Sequence, residues 1–504
     1  MKYKIISIVL VVVTLIVSFS IQTIEPDRNR YHQHKEAAEK EACTDHDEAV
    51  FCTHLPLLNI VTDAKMPNPY VYKTDGTNLP SESGELVHNN EQVAATIQYF
   101  DSETENNHLT DEPVWEERAM MRIRGASSRA YDKNGYLLNF KQENLIDRKK
   151  VSFDGMTADD DWVLHGPFLD KTLIRNYMCY NLAGEFMEYA PNVRFCEAYL
   201  NGEYIGVYLI VEEITYNKNG RINIEQTNPG MEETSFIVEI DRKPMDETVL
   251  IETFASHSYL TFQFGVNKGY FQVVYPSKTL TEEQKTYIES YISKFEKTLY
   301  SFTYNDREEG YIKYIDVDSF VDYFLMNEFT LNYDAMGFST FAYKDIGGKM
   351  KLCVWDFNSA FDYYETSVIT PETFLMQNMM WYKYLFKDEE FVKKVEKRYY
   401  DLRERLFNEE YLYTYIDETI EYLGPAIERN FEKWGYSFNS EYNGKSYDYL
   451  QPAERNVRSY EESIKQLKDC IALRIEHMDA NLDRLYMLCH ESMNKKYIYD
   501  KEAN

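Results

Sequence analysis

The chain has 504 residues, of which 44% are hydrophobic and 15% are aromatic, so it can bury a large core and is too long for one small domain. Acidic residues outnumber basic ones by 84 to 54, giving a formal net charge of −30. So acidic a surface repels phosphate backbones, which argues against nucleic acid as the main partner and favours basic partners.

The N-terminus has the pattern of a targeting segment. Lys2 and Lys4 precede an apolar run over residues 5–19, and Ser18 and Ser20 suit a cleavage site. As a helix the run would span about 22 Å, less than a hydrocarbon core of roughly 30 Å. Residues 1–20 are therefore predicted to be a signal peptide rather than a membrane anchor. Either one places the protein outside the cytoplasm, as a secreted, cell-surface or membrane-anchored protein, and an uncleaved segment would engage the membrane.

Residues 21–54 are polar and charged and are predicted to be a flexible tether. Residues 55–280 then show short strand patterns mixed with one helix pattern. Asn201-Gly202 is a strong two-residue turn signal, so the clearest hairpin lies around it. The predicted elements of this β-rich part are strands over 116–124, 136–141, 194–200, 204–211 and 236–240 and a helix over 168–187.

Residues 281–490 change to helical patterns, followed by a tail over 491–504. Thr281 and Gln284 have the spacing of a capping box, and Asp316 or Asp318 can cap the next helix. Further helices are predicted over 389–407, 409–433 and 451–488. A β-rich first half and a helical second half predict two parts with a cleft between them.

A hairpin in the second half separates two acidic residues. Strand-like stretches over 338–343 and 349–355 flank a turn at 345–348, so pairing brings Phe338 or Ser339 near Asp356, with Asp334 about one loop away. Two such carboxylates followed by Asn358 suit a divalent metal and a positioned hydroxyl, as phosphoryl transfer requires. The alternative is an ordinary hairpin with solvated carboxylates.

Three places in the first half are candidates for binding phosphate. The loop 122–129 contains Gly and Ser, which let backbone N–H groups approach a phosphate, and arginines that can neutralise it. Lys141 ends a strand, and Arg175 lies near a helix start, where N–H groups favour anions. The candidate residues are Arg124, Gly125, Ser127, Ser128, Lys141 and Arg175. The alternatives are a polar turn, a solvated strand end and a plain helix cap.

Other common catalytic motifs are absent from the sequence. Gly347-Gly348-Lys349 is followed by Met350, so it is not a P-loop, and there is no G-x-G-x-x-G, G-x-S-x-G or H-E-x-x-H. The abundance of carboxylates and aromatics leaves metal-dependent hydrolysis of carbohydrate open.

Four stretches, in this order, resemble the spore-coat protein H (CotH) kinase family over about residues 55–490. They are RIRGASSRAYDKNGYLLNF (122–140), LHGPFLDKTLIRNYMCYNLAGEF (164–186), EAYLNGEYIGVYLIVEEI (197–214) and VWDFNSAF (354–361). The resemblance implies an α+β, two-lobed atypical protein-kinase-like fold, with a β-rich N-terminal lobe and a mainly helical C-terminal lobe.

The same resemblance implies an exported ATP-dependent kinase acting on Ser or Thr of surface or coat proteins, with Mg²⁺ or Mn²⁺. Asp334 falls at the family's catalytic aspartate and Asp356 at its metal-binding aspartate, with Asn358 and Ser339 as further metal ligands. The loop at Arg124, Gly125 and Ser128 matches the family's nucleotide-facing loop.

Three positions depart from the family pattern. Asn358 stands where a second acidic residue is common, Ser339 where an asparagine is common, and Asn139 where a lysine is usual. Lys141, two residues on and on the same strand face, is the expected substitute. These changes leave an alternative, a catalytically weakened pseudokinase that acts as a structural or binding protein of the cell surface or coat.

Overall fold

The computed structural model describes residues 30–41, 51–72, 86–217, 220–228, 230–231, 233–241, 252–262, 265–361, 363–364 and 370–489. The predicted signal segment, residues 21–29 and 42–50 of the predicted tether, and the predicted tail lie outside these residues. Within them, no helix is both long and apolar enough to cross a membrane. The fold is α+β, β-rich towards the N-terminus and helical towards the C-terminus.

The N-terminal part is a closed seven-stranded barrel. Its strands follow the order β1-β4-β5-β6-β7-β9-β8, with β1 parallel to β8 and the other neighbours antiparallel. Side chains alternate between a buried interior and the outer face, as in β4, because successive residues of a strand point to opposite sides. The strands are β1 (Leu57–Thr62), β4 (Val93–Phe100), β5 (Trp115–Arg124), β6 (Gly135–Lys141), β7 (Asp161–His165), β8 (Val193–Leu200) and β9 (Glu203–Glu212), and β2 (Tyr70–Tyr72) and β3 (Leu86–His88) pair separately.

The predicted hairpin turn is confirmed within the barrel. Asn201 and Gly202 join β8 to β9, and both have positive φ, 53° and 80°. That conformation is the one a two-residue turn needs to match the twist of its strands.

A second sheet has five strands in the order β11-β12-β10-β13-β14, all antiparallel. They are β10 (Phe236–Asp241), β11 (Thr253–Phe262), β12 (Gly265–Tyr275), β13 (Thr340–Lys344) and β14 (Lys351–Cys353). The predicted boundary at residue 280 therefore divides a single sheet, because β10 pairs directly with β13. Sequence order gave no sign of this long-range pairing.

The helices confirm most predicted elements, with three differences, one of which is that the helix predicted over 451–488 begins only at Tyr460. Gly424 has φ +46° and Pro425 follows it, so the helix predicted over 409–433 is broken into two. The helix predicted over 168–187 begins only at Arg175. The helices are α1 (Gln33–Glu36), α2 (Arg175–Phe186), α3 (Glu282–Leu299), α4 (Val317–Phe329), α5 (Tyr382–Leu385), α6 (Glu389–Arg405), α7 (Glu409–Leu423), α8 (Pro425–Trp434) and α9 (Tyr460–Asn481).

Two predicted helix caps are confirmed. Thr281 and Gln284 form a capping box at the start of α3, and the Asp316 side chain accepts the Ser319 N–H at the start of α4. Satisfying these otherwise unpaired N–H groups explains why both helices begin where the sequence indicated.

Residues 30–36 differ from the predicted flexible tether. His32 is 5% exposed and Gln33 is 1% exposed, and both pack against the folded chain. Their polar side chains find partners on α2, β8 and α7, which composition alone could not indicate.

Candidate active site

The predicted acidic hairpin is present, although shorter than expected. Phe341 pairs with Cys353 and Tyr343 pairs with Lys351. Continuing this register beyond the ladder places Phe338 opposite Asp356, as the sequence indicated. Ser339 and Asp356 both have positive φ, 47° and 55°, so the backbone leaves the extended conformation at both arms.

Helix α2 holds the turn that carries Asp356. The Asp356 N–H donates to the Tyr180 hydroxyl over 3.1 Å, and the Phe357 N–H donates to Asn176 Oδ1 over 2.8 Å. Asn176 Nδ2 donates to Asn358 Oδ1 over 2.7 Å and lies 3.2 Å from Nε2 of His165. Burial lowers the pKa of His165 to about 3, so this ring is neutral and supports the turn without adding charge.

Asn332 links the loop of Asp334 to Asp356. Its Nδ2 donates to the Asp356 carbonyl over 3.2 Å and to Asn327 Oδ1 over 3.0 Å. The Asp334 carbonyl accepts the N–H groups of Gly337 and Phe338, which fixes the turn. The two predicted aspartates therefore lie on adjoining loops. Sequence reasoning missed Asn332, whose only signal is its position two residues before Asp334.

Arg124 is the predicted cofactor residue that lies beside Asp356. Its guanidinium is 5.4 Å from the centre of the Trp355 ring. Burial raises the pKa of Asp356 above its ordinary value, whereas the Asn358 N–H and the Arg124 charge oppose that shift. Asp241 raises the pKa of Asp356 further. The Asp356 carboxyl is therefore buried between one arginine, Arg124, and a second carboxylate, Asp241.

Glu239 and Asp241 on β10 add acidic groups that sequence reasoning did not single out. Burial raises the pKa of Glu239 to about 8, and the charges of Asp241 and Glu213 add to the shift. Positions 239 and 241 lie on the same face of the strand because side chains alternate. A divalent cation would offset the repulsion between these carboxylates, and carboxylate oxygens are ligands that Mg²⁺ and Mn²⁺ accept.

Glu239→Gln should stabilise the metal-free protein at alkaline pH. A folded-state pKa of about 8, above the ordinary value, means that wild type loses stability as pH rises towards 8. We expect the variant to gain about 2 kcal/mol of unfolding free energy at pH 8 and little at pH 5. Urea unfolding at both pH values measures this. Exposed Glu441→Gln is the control, and an equal gain at both pH values would contradict the prediction.

The predicted phosphate loop has a tight, glycine-dependent backbone. Gly125 has φ +101°, and a Cβ there would lie 2.0 Å from Ser128 Oγ. Ser127 and Ser128 begin a short 3-10 turn directly after it. Arg129 donates from Nε to the Gly125 carbonyl over 2.6 Å and is 4% exposed, so it supports the loop from behind. Arg124, Gly125, Ser127 and Ser128 are thus brought together.

Lys141 does not lie with this loop, which corrects the prediction. In the β5–β6 pair, Arg124 lies opposite Gly135 and Arg118 lies opposite Lys141. Six residues of strand separate the two ends, a distance of about 20 Å. Lys141 does share the strand face of Asn139, but it lies further along the strand. Asn139 itself donates to Asp161.

Arg175 is buried in an ion pair, which also corrects its predicted phosphate role. Its Nη1 lies 2.5 Å from Asp170 Oδ1, and the exposed fractions of the two side chains are 0% and 1%. Its Nε donates to the Ala360 carbonyl over 3.0 Å, and its guanidinium is 4.2 Å from the centre of the Tyr363 ring. Arg175 therefore anchors the chain that follows Asp356.

Among the described residues, one group of three acids could bind a metal, and it does not include the predicted metal ligands Asp356, Asn358 and Ser339. The ligand atoms of Asp159, Asp160 and Asp161 lie within 4.8 Å of one another at the start of β7. Asn217 donates to Asp159 over 2.7 Å, and Arg148 lies 3.1 Å from Asp160. These contacts make the group part of a polar network of the barrel.

The model of the CotH kinase protein family matches residues 121–478, well over half of the chain. The chain belongs to the CotH kinase protein family. The match includes Arg124, α2, Asp334 and Asp356, and it begins within β5, after β1 and β4. Membership suggests a kinase and, for the family in general, the use of ATP and a divalent metal. No curated protein sequence matches the chain.

Proposed function

We propose that this CotH kinase family member is an exported protein kinase that transfers the γ-phosphoryl group of ATP to Ser or Thr of surface or coat proteins. The supporting observation is that Arg124 and the loop of Asp334 both lie beside Asp356, with Asn332 linking that loop to the Asp356 carbonyl. In this proposal the barrel serves as the N-terminal lobe of a kinase-like fold, and the second sheet with the helices serves as the C-terminal lobe.

Each residue has a role that its surroundings support. Asp356 would hold Mg²⁺ or Mn²⁺, and Asp334 would accept the proton of the substrate hydroxyl. The metal and ATP supply charge neutralisation and the phosphoryl group. Arg124 and the N–H groups after Gly125 would orient the phosphates. Asn358 Oδ1 already accepts a hydrogen bond from Asn176, so its contribution to metal binding is limited to its other lone pair.

Export and substrate charge are further parts of the proposal. The N-terminal apolar run supports export, and the net charge of −30 supports a basic substrate protein.

Asp356→Asn should remove metal-dependent nucleotide binding. The change keeps the size of the side chain and one oxygen, but it removes the charge that a divalent cation needs. We expect wild type to melt at a higher temperature with Mn²⁺ and ATP, the variant to lose that shift, and γ-phosphate transfer to a basic Ser/Thr peptide to fall at least about 100-fold.

Asp318→Asn is the matched control, because Asp318 is 78% exposed and pairs only at the surface with Lys394. It should behave as wild type. Equal transfer by wild type and Asp356→Asn would refute the metal role.

A pseudokinase is the second candidate, favoured by the separation of Lys141 from Arg124 and by the engagement of Asn139 with Asp161. It predicts no phosphoryl transfer, and the absence of a melting shift with Mn²⁺ and ATP would support it. The kinase proposal requires both the shift and the transfer.

A further inference from the structure

Residues 30–36 precede the range that the family model matches, residues 121–478, and they pack against one side of α2. Arg30 uses its whole guanidinium, donating from Nε to Asn181 Oδ1 over 3.0 Å, from Nη1 to the Ala190 carbonyl over 3.0 Å and from Nη2 to the Pro191 carbonyl over 2.5 Å. The Gln33 side chain exchanges two hydrogen bonds with the backbone of Phe195, as a neighbouring strand would.

The two histidines of this segment extend the contact along the same helix face. Nε2 of His32 lies 2.5 Å from Glu185 Oε1, and the His34 N–H donates to the Tyr177 hydroxyl over 3.1 Å. Tyr177, Asn181 and Glu185 are spaced four residues apart, so they form one stripe of α2. The segment therefore grips the helix along its length.

The neighbouring stripe of α2 holds the turn of Asp356. Asn176 and Tyr180 are also four residues apart, each one residue before a member of the gripped stripe, which turns them by about 100° around the helix axis. They bind the N–H groups of Phe357 and Asp356, and Asn176 also binds Asn358. One short helix thus touches the N-terminal segment on one side and the candidate metal turn on the other.

We propose that residues 30–36 are a positioning element for the metal turn at 356–358. This inference rests on the proposed function, because it assigns the segment a role in holding Asp356 for metal-bound nucleotide. Docking of the segment fixes the position and rotation of α2, and α2 in turn fixes the Asp356 N–H and the Asn358 side chain. Misplacement of a reactive group by about 1 Å can cost two orders of magnitude in rate, so a small helix movement matters.

Gly184 offers a way to release the segment without weakening the helix. A Cβ at this position would lie 2.8 Å from Cδ, Nε and Cζ of Arg30. Alanine favours a helix more than glycine does, so Gly184→Ala should keep α2 folded while displacing the Arg30 side chain. Gly435→Ala is the matched control, because its nearest neighbouring atom would be Phe431 Cβ at 3.8 Å.

The experiment uses the full chain and two measurements. Amide hydrogen exchange is followed over residues 30–37 and 354–361, and the Mn²⁺-ATP concentration for half-maximal thermal stabilisation is determined. We expect Gly184→Ala to raise exchange in both segments at least about tenfold and to raise that concentration about tenfold. In an Arg30→Ala background, adding Gly184→Ala should change neither the exchange rates nor the Mn²⁺-ATP concentration more than about twofold. The Arg30 side chain that the new Cβ would meet is then absent.

Ile97→Val, a mild change inside the barrel, controls for general loss of stability and should leave exchange over 354–361 near the wild-type rate. Continued protection of residues 30–37 in Gly184→Ala would overturn the proposal, as would their release with unchanged exchange over 354–361. If wild type shows no stabilisation by Mn²⁺-ATP, the proposed function fails, while the exchange measurements still decide whether the segment positions the turn.

Discussion

Asp334→Asn should lower the rate of phosphoryl transfer about 1,000-fold while changing Mn²⁺-ATP binding less than about twofold. A positioned base contributes about 100- to 10,000-fold, and an amide cannot accept the proton of the substrate hydroxyl. The loop should keep its shape, because the backbone carbonyl of Asp334 is the acceptor for Gly337 and Phe338. Single-turnover transfer and a melting titration with Mn²⁺-ATP separate the two effects.

Asp345→Asn at the tip of the same hairpin is the control. The Asp345 side chain accepts the N–H groups of Glu225 and Ile346, and the amide oxygen of asparagine can still accept. Its transfer rate should stay near wild type. If Asp334→Asn transfers phosphate at the wild-type rate, Asp334 is not the base. If it instead loses nucleotide binding, Asp334 belongs with Asp356 in holding the metal.

Local signals explain the parts of the fold that the sequence predicted. The Asn201-Gly202 turn, the capping box at Thr281 and the hairpin around 345–348 each depend on residues within a few positions of one another. The proximity of the two acidic loops followed from that same hairpin register. Each of these features is determined by a short stretch of chain, so a single sequence is enough to predict it.

The missed features depend on contacts between distant residues. Glu239 reaches the site because β10 pairs with β13, about a hundred residues later in the chain. The alternation of side chains predicts the strand face of Lys141 correctly. The face does not determine how far along the strand the residue lies. Residues 30–36 have the polar composition of a solvated tail. In the folded protein their polar side chains instead bind partners on α2 and α7. Composition records polarity but not whether a partner is available.

Arg474→Met should cost about 3–5 kcal/mol of unfolding free energy, the largest stability effect that we expect. Arg474 Nη2 lies 2.6 Å from Glu328 Oε1, and both side chains are fully buried. Nη1 also donates to the carbonyls of Pro371 and Thr373. Removing the guanidinium leaves a buried carboxylate without its cation, and breaking such a pair is far more destabilising than replacing both members.

The double variant Glu328→Gln/Arg474→Met tests that reason, because it removes the buried charge along with its partner. It should recover at least about 1 kcal/mol relative to Arg474→Met in urea unfolding. Burial already raises the pKa of Glu328, and Arg474 opposes the shift, so losing Arg474 raises that pKa further. The single variant should therefore lose stability as pH rises above the ordinary carboxyl range, and the double variant should not. A double variant as unstable as the single one would show that the contacts to residues 371–376, rather than the buried charge, hold the end of α4 next to the loop of Asp334.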